Sequence, residues 1–217
     1  MHISEGILTG PVLGAGAVLT LAGVAVGLRK IETAQIPRTA VLTAAFFAAS
    51  LIHIPLGPSS VHLVLNGLMG VILGWAAFPA LLTGLFLQAL IFGYGGLTVL
   101  GVNTFNMAFP AVAVFYLGRI GRKSNNLKIV FALGFAAGAC SVFLSGLLMA
   151  LSLLLAGKEF LPLAAGALVA HLPLMMIEGL VTGSAILFLR RVRPEIFRLP
   201  DKITLIKGES AYADPQP

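Results

Sequence analysis

The chain opens Met1-His2-Ile3-Ser4-Glu5-Gly6, and these first residues are where transition-metal chemistry is most readily built. No basic stretch, short apolar core and small-residue cleavage site stands ahead of them, so removal of an export signal is not expected. Histidine at position 2 is bulky, so Met1 is expected to persist with a free α-amine. Three nitrogens then lie along one short piece of chain: the Met1 amine, the His2 backbone nitrogen and His2 Nδ1. A metal between amine and amide closes a five-membered ring, and one between that amide and Nδ1 closes a six-membered ring. Together they supply three corners of a square plane, which favours Cu(II) or Ni(II), with Co(II) a further occupant. The plain alternative is a histidine at position 2 with no such role.

The chelate needs a fourth nitrogen. His62, behind the Pro58-Ser59-Ser60 turn, is the best candidate. His53 is the alternative, as a ligand or as a group that fixes an imidazole or caps a loop. Either one could instead satisfy loop carbonyls. Glu5 is read as orienting the amino-terminal segment through hydrogen bonds, or as an ordinary acid near the positive end of the first helix. His171 and Glu178 stand seven positions apart, two helical turns, and share a face. Ionisable groups inside a membrane are functional candidates by default. A proton relay or inner cation site could use them, or they could pair with each other or with a partner protein. Asn66, Asn103, Asn106 and Gln88 are read as hydrogen-bonding between helices or across loops. The chain has no phosphate loop, no zinc-protease His-Glu-x-x-His and no nucleophile elbow, so no catalytic set is expected.

The elements that must position these residues follow from composition. Of 217 residues, 58% are hydrophobic and 10% charged, with a mean hydropathy of +1.00. Soluble chains carry about 25% charged residues. Residues 39–118 contain no Asp, Glu, Lys or Arg, and a helix crosses a bilayer with about 20 apolar residues. The expectation is an all-α, polytopic membrane protein: a compact bundle of about seven transmembrane helices over roughly 11–28, 38–54, 61–76, 78–94, 104–119, 128–156 and 161–189. A break at Phe78-Pro79 would leave the third and fourth short, tilted or partly re-entrant. Small-residue pairs (Gly23 and Gly27, Gly67 and Gly70, Gly134 and Gly138) are expected at close helix approaches. Residues 1–195 read as one transmembrane domain and 196–217 as a basic, then polar, cytoplasmic tail. The single cysteine, Cys140, excludes a disulfide framework.

Lys and Arg concentrate in cytoplasmic loops of membrane proteins. With the amino terminus extracytoplasmic and the carboxyl terminus cytoplasmic, thirteen of the 14 basic residues fall inside and only Lys158 outside. The net charge of +6 is thereby assigned to membrane orientation and not to nucleic acid. The amino terminus, the 54–61 connection and the 95–104 connection then share the outer face, where His2, His53 and His62 can meet. Irregular backbone at membrane depth is tolerated where it is buried in protein or lines a cavity.

Three separated motifs carry a family resemblance: the Met-His-Ile-x-Glu-Gly start, the Pro-x-Gly-x-Ser-x-x-His-Leu turn at 55–63 and Gly-Gly-Leu-Thr-x-Leu-Gly-x-Asn at 95–103. Together they resemble the CbiM/NikM family, the metal-capture subunits of energy-coupling-factor cobalt and nickel transporters, over about residues 1–195. The resemblance implies a seven-helix bundle with its amino terminus inserted. It also implies square-planar ligation by the Met1 amine, the His2 amide and imidazole, and His62. The 95–103 loop, Asn103 included, would cover the site, with His53, Glu5, Ser59 and Ser60 around it. It implies Co2+ or Ni2+ as transported substrate with no organic cofactor, and location in the cytoplasmic (inner) membrane of a prokaryote. Implied partners are a transmembrane coupling subunit, two ATPase subunits and a small auxiliary membrane subunit. Cobalt is the expected ion, with a link to cobalamin biosynthesis. A self-contained cation channel or secondary transporter using His171 and Glu178 is the alternative. A membrane enzyme using His53, His62 and His171 comes third.

Overall fold

The computed structural model describes residues 2–51, 53–56, 59–121, 124 and 126–197. Seven α-helices occur among them: α1 (Gly10–Lys30), α2 (Ile36–Ala49), α3 (Asn66–Leu73), α4 (Ala77–Phe92), α5 (Leu100–Gly121), α6 (Leu127–Ala156) and α7 (Leu161–Val192). Four stretches are long and apolar enough to cross a membrane: Gly10–Lys30, Asn66–Phe92, Leu127–Ala156 and Lys158–Val192.

Two expected spans are cut short. α2 ends at Ala49 and α3 starts only at Asn66, because the intervening chain forms an antiparallel hairpin, β1 (His53–Leu56) with β2 (Ser59–His62). Pro55 lacks the N–H a helix needs, and the Gly57-Pro58 pair is a turn signal. His62 therefore ends a strand and does not open a span. α3, at eight residues, rises about 12 Å, well short of a bilayer core of about 30 Å. It starts inside the bundle. The break after it falls at Gly74–Ala76, a 3-10 turn, not at Phe78-Pro79. Gly74 takes φ +59 there, a conformation glycine adopts at little cost. Pro79 sits in the first turn of α4, where its missing N–H has no intrahelical partner to lose.

The six glycines singled out by spacing all lie at close approaches. A Cβ on Gly27 would come within 2.6 Å of Trp75 O, one on Gly67 within 2.6 Å of Gly138 Cα, and one on Gly134 within 2.9 Å of Gly183 Cα. On Gly138 it would meet Glu178 O at 2.5 Å, on Gly23 the Phe78 ring and on Gly70 the Ala111 carbonyl. Between helices in an apolar medium, such contacts replace the hydrophobic drive that water would supply. Buried polar residues bridge helices at the α3–α6 interface and at others. Asn66 Nδ2 donates to Ser145 Oγ (2.9 Å), and its Oδ1 accepts from Ser141 Oγ (2.9 Å). Gln88 Nε2 donates to Ser50 Oγ (2.8 Å) and Asn106 Nδ2 to Ser152 Oγ (3.2 Å).

The bundle has two chemically distinct ends. At one, Lys30 lies 5.0 Å over the Trp75 ring and Arg190 donates to Ser124 O at 2.8 Å. At the other, residues 2–8 pack against the connection between α4 and α5.

Candidate metal centre

The amino-terminal segment is built into the protein. Ile3, 2% exposed, is clamped by one buried side chain from the first turn of α5. Its N–H donates to Asn103 Oδ1 (3.0 Å), and its carbonyl accepts from Asn103 Nδ2 (3.1 Å). Two residues on, Glu5 N donates to Gly95 O (3.0 Å). The Glu5 carboxylate accepts from Thr98 N (2.9 Å) and Thr98 Oγ1 (3.1 Å). These bonds hold the Glu5 carboxyl below its ordinary pKa, the Thr98 backbone bond contributing most. The 95–98 loop reaches the segment because Gly95 and Gly96 take φ +73 and +113. A Cβ on Gly96 would fall on the Glu5 side chain.

This docking buries His2, which is 8% exposed, against His62, which is 3% exposed. Their Nε2 atoms are 3.1 Å apart, and their rings stack at 5.0 Å between centroids. Tyr94 flanks His2 at 5.9 Å. His62 Nδ1 is 2.9 Å from Leu63 O. A carbonyl only accepts, so Nδ1 carries the proton and Nε2 of the neutral ring presents its lone pair to His2. Burial, then the amino-terminal charge, then coupling to the titration of His62, pushes the His2 pKa well down. His2 is thereby kept neutral, as metal ligation requires. Two nitrogens in cis positions on a metal, each about 2.0 Å from it, are about 2.8 Å apart, close to the separation seen. The structure turns Nε2 of His2, not Nδ1, toward His62.

The remaining expected residues divide clearly. His53 is the cross-strand partner of His62, with Ser60 opposite Pro55 and Ser59 opposite Leu56. The side chains of His53, Ser59 and Ser60 lie outside what is described, as do Met1 and the tail beyond Phe197. Among the described residues no group of three or more His, Cys, Asp or Glu side chains forms. His171 and Glu178 do not pair with each other. His171 Nδ1 meets Ala167 O, and Glu178 accepts from the N–H groups of Val64 and Leu65. The Thr98 contact and the Glu178 contact to the 64–65 backbone escaped sequence reasoning. The first had a signal in Gly95-Gly96-Leu97-Thr98; the second joins residues 113 positions apart and had none.

The bundle that buries this imidazole pair at one end shares its fold with solved transition-metal transporters. It overlays on a crystal structure of a transition metal transporter with a TM-score of 0.74 and 25% identity, covering 98% of this chain and all of that one. A truncated transition metal transporter gives 0.70 and 25%, over 88% and 99%. The family described as the cobalt uptake substrate-specific transmembrane region, CbiM, matches residues 2–196, and the chain belongs to that family. A putative metal transport protein of Haemophilus influenzae is 46% identical over 198 residues, 90% of this chain and 96% of that protein. The cobalt transport protein CbiM of Sorangium cellulosum is 31% identical, over 97% and 100%. A putative fused nickel transport protein, NikMN, of Archaeoglobus fulgidus is 28% identical over 94% and 72%. The chain is thus a cobalt/nickel transport membrane subunit by family, and its homologues are named as transport proteins and not as enzymes.

Proposed function

We propose that this chain captures a divalent transition-metal ion, Co2+ first and Ni2+ next, for an ATP-driven importer of the energy-coupling-factor type. The ligands are the Met1 amine, the His2 amide and imidazole, and His62. The observation that carries the reading is the buried His2–His62 pair, 3.1 Å between Nε2 atoms, held by an amino-terminal segment that Asn103 grips at Ile3. A chelate through the His2 amide uses Nδ1, so binding turns the His2 ring about its Cβ–Cγ bond to bring Nδ1 to the His62 side. Metal entry releases protons from amine and amide. The site end faces outward and the Lys30, Arg190 end faces the cytoplasm, in keeping with the distribution of basic residues. Seven helical segments compose the membrane bundle, in the inner membrane of a prokaryote. A transmembrane coupling subunit, two ATPase subunits and a small auxiliary membrane subunit supply the energy and the path inward. The cobalt form of this activity feeds cobalamin biosynthesis.

The test compares Co2+ and Ni2+ binding to the native-start protein, to a form with residues added before Met1, and to His62→Ala. Tight binding is expected only in the first. Undiminished affinity in the extended form would falsify the chelate. The channel alternative fares worse on the contacts of its two residues, since Glu178 is occupied by main-chain donors. Ion flux through the chain alone in liposomes would reinstate it.

A further inference from the structure

We propose that Glu178 is a positioning residue that sets the orientation and tautomer of His62 through one peptide group. This inference rests on the reading of His62 as a metal ligand.

Glu178 is fully buried in α7, and its Oε1 accepts from Val64 N. It also accepts from Leu65 N, at 3.0 Å to Oε1 and 3.2 Å to Oε2. The Val64 N–H and the Leu63 C=O belong to the same trans peptide unit and point in opposite directions. That carbonyl is the acceptor for His62 Nδ1 at 2.9 Å. The connection therefore runs from the Glu178 carboxyl to Val64 N–H, across the peptide to Leu63 O, and on to His62 Nδ1–H. Its far end is the Nε2 lone pair that faces His2. Hydrogen bonds in series polarise one another in a low-dielectric interior. The Glu178 end strengthens Leu63 O as an acceptor and disfavours the tautomer in which Nε2 carries the proton.

The backbone around this peptide needs such a hold. Leu65 has φ +51 and is the one non-glycine residue with positive φ among those described. That conformation costs about 1–2 kcal/mol for an L-residue. Glu178 grips the N–H on either side of the Val64 Cα, at the point where β2 must turn into α3. Its approach depends on Gly138, which lies between α3 and α7 and leaves no room for a side chain: a Cβ there would sit 2.5 Å from Glu178 O. Histidine ligands elsewhere are held by a partner on the non-ligating nitrogen, and losing that partner costs about 10- to 100-fold in metal affinity. Here the partner is a carbonyl, and the side chain stands one peptide further back.

The experiment uses the full chain in detergent, with 15N-labelled histidine, without metal and titrated with Ni2+ alone. Native protein is expected to show His62 as the Nδ1–H tautomer. Glu178→Gln replaces one acceptor oxygen with a donor NH2, and is expected to populate the Nε2–H tautomer and weaken Ni2+ binding about 10- to 100-fold. A purely structural role predicts lower thermal stability with an unchanged tautomer, and an unchanged tautomer and affinity in Glu178→Gln overturn the proposal. Should that variant fail to fold, the same readings are taken on Glu178→Asp, whose carboxylate stops one methylene short, with the same criterion. The tautomer measurement reads Glu178 without any metal. Intact Ni2+ affinity in His62→Ala would thus remove His62 from the site while leaving the link between Glu178 and His62 separately tested.

Discussion

Replacing Asn103 with alanine tests whether the site depends on the docked amino-terminal segment. The amide makes two buried bonds to one residue, 3.0 Å from Ile3 N and 3.1 Å to Ile3 O. Neither Ile3 group would have another partner near alanine, and Ile3 is only 2% exposed. Leaving a buried donor or acceptor without its partner costs about 1–2 kcal/mol, the lower part of the usual range, so the pair amounts to about 2–4 kcal/mol of docking free energy. At about 1.4 kcal/mol per factor of ten, the docked population should fall about 30- to 700-fold relative to the undocked one. Hydrogen exchange of the peptide covering residues 2–8 reads this directly, as a matching loss of protection at Ile3 and Glu5. Metal affinity falls by the same factor once the undocked state dominates, since apparent affinity scales with the competent fraction. Asn103→Asp retains the acceptor for Ile3 N–H but loses the donor, and should also fail. Unchanged exchange at Ile3 in Asn103→Ala would refute the reasoning.

Gly96→Ala adds a Cβ at φ +113 that collides with Glu5. It should destabilise the loop by about 1–3 kcal/mol and free the Glu5 amide for exchange; a native-like exchange rate would count against it. Glu5 holds Thr98 with a carboxyl whose folded pKa lies below its ordinary value of 4.5. Its contribution is therefore present above the unfolded value and disappears as pH falls through the folded one, which the Thr98 amide shift should track and Glu5→Gln should abolish. His2 is kept neutral by burial while the α-amine is ordinarily protonated at pH 7. Calorimetry in buffers of different ionisation enthalpy should thus find about two protons released per ion, from amine and amide; three would mean His2 enters protonated. Gly70→Ala, whose Cβ would fall on the Ala111 carbonyl, should lower stability by about 1–3 kcal/mol, seen as a lower unfolding temperature in detergent.

Which features could be read in advance follows from their range along the chain. Hydropathy and the absence of charge over residues 39–118 are properties of short windows, so the helical membrane character was legible, as were the glycine pairs at helix contacts. The hairpin at 53–62 was not: Pro55, the Gly57-Pro58 pair and the serines and histidines around them mark an interruption between helices, but they do not say that the chain on its two sides pairs as strands. The shift of the α3–α4 break to Gly74–Ala76 was hidden for a related reason: proline stops a helix in its interior but is tolerated in its first turn.

The site divides along the same line. Residue types alone nominated His2 and His62, since nitrogen donors at a chain start and behind a turn are chemically distinctive wherever they fall. Glu5 and Asn103 were named as neighbours without their contacts. Tertiary structure alone decided that Asn103 grips Ile3 across 100 positions, that Nε2 of His2 meets Nε2 of His62, and that Glu178 holds the backbone beneath them. Hydrogen bonds of that range depend on where α5 and α7 come to rest against α3. That placement is a sum of glycine-spaced contacts over the whole bundle, and no local stretch of sequence encodes it.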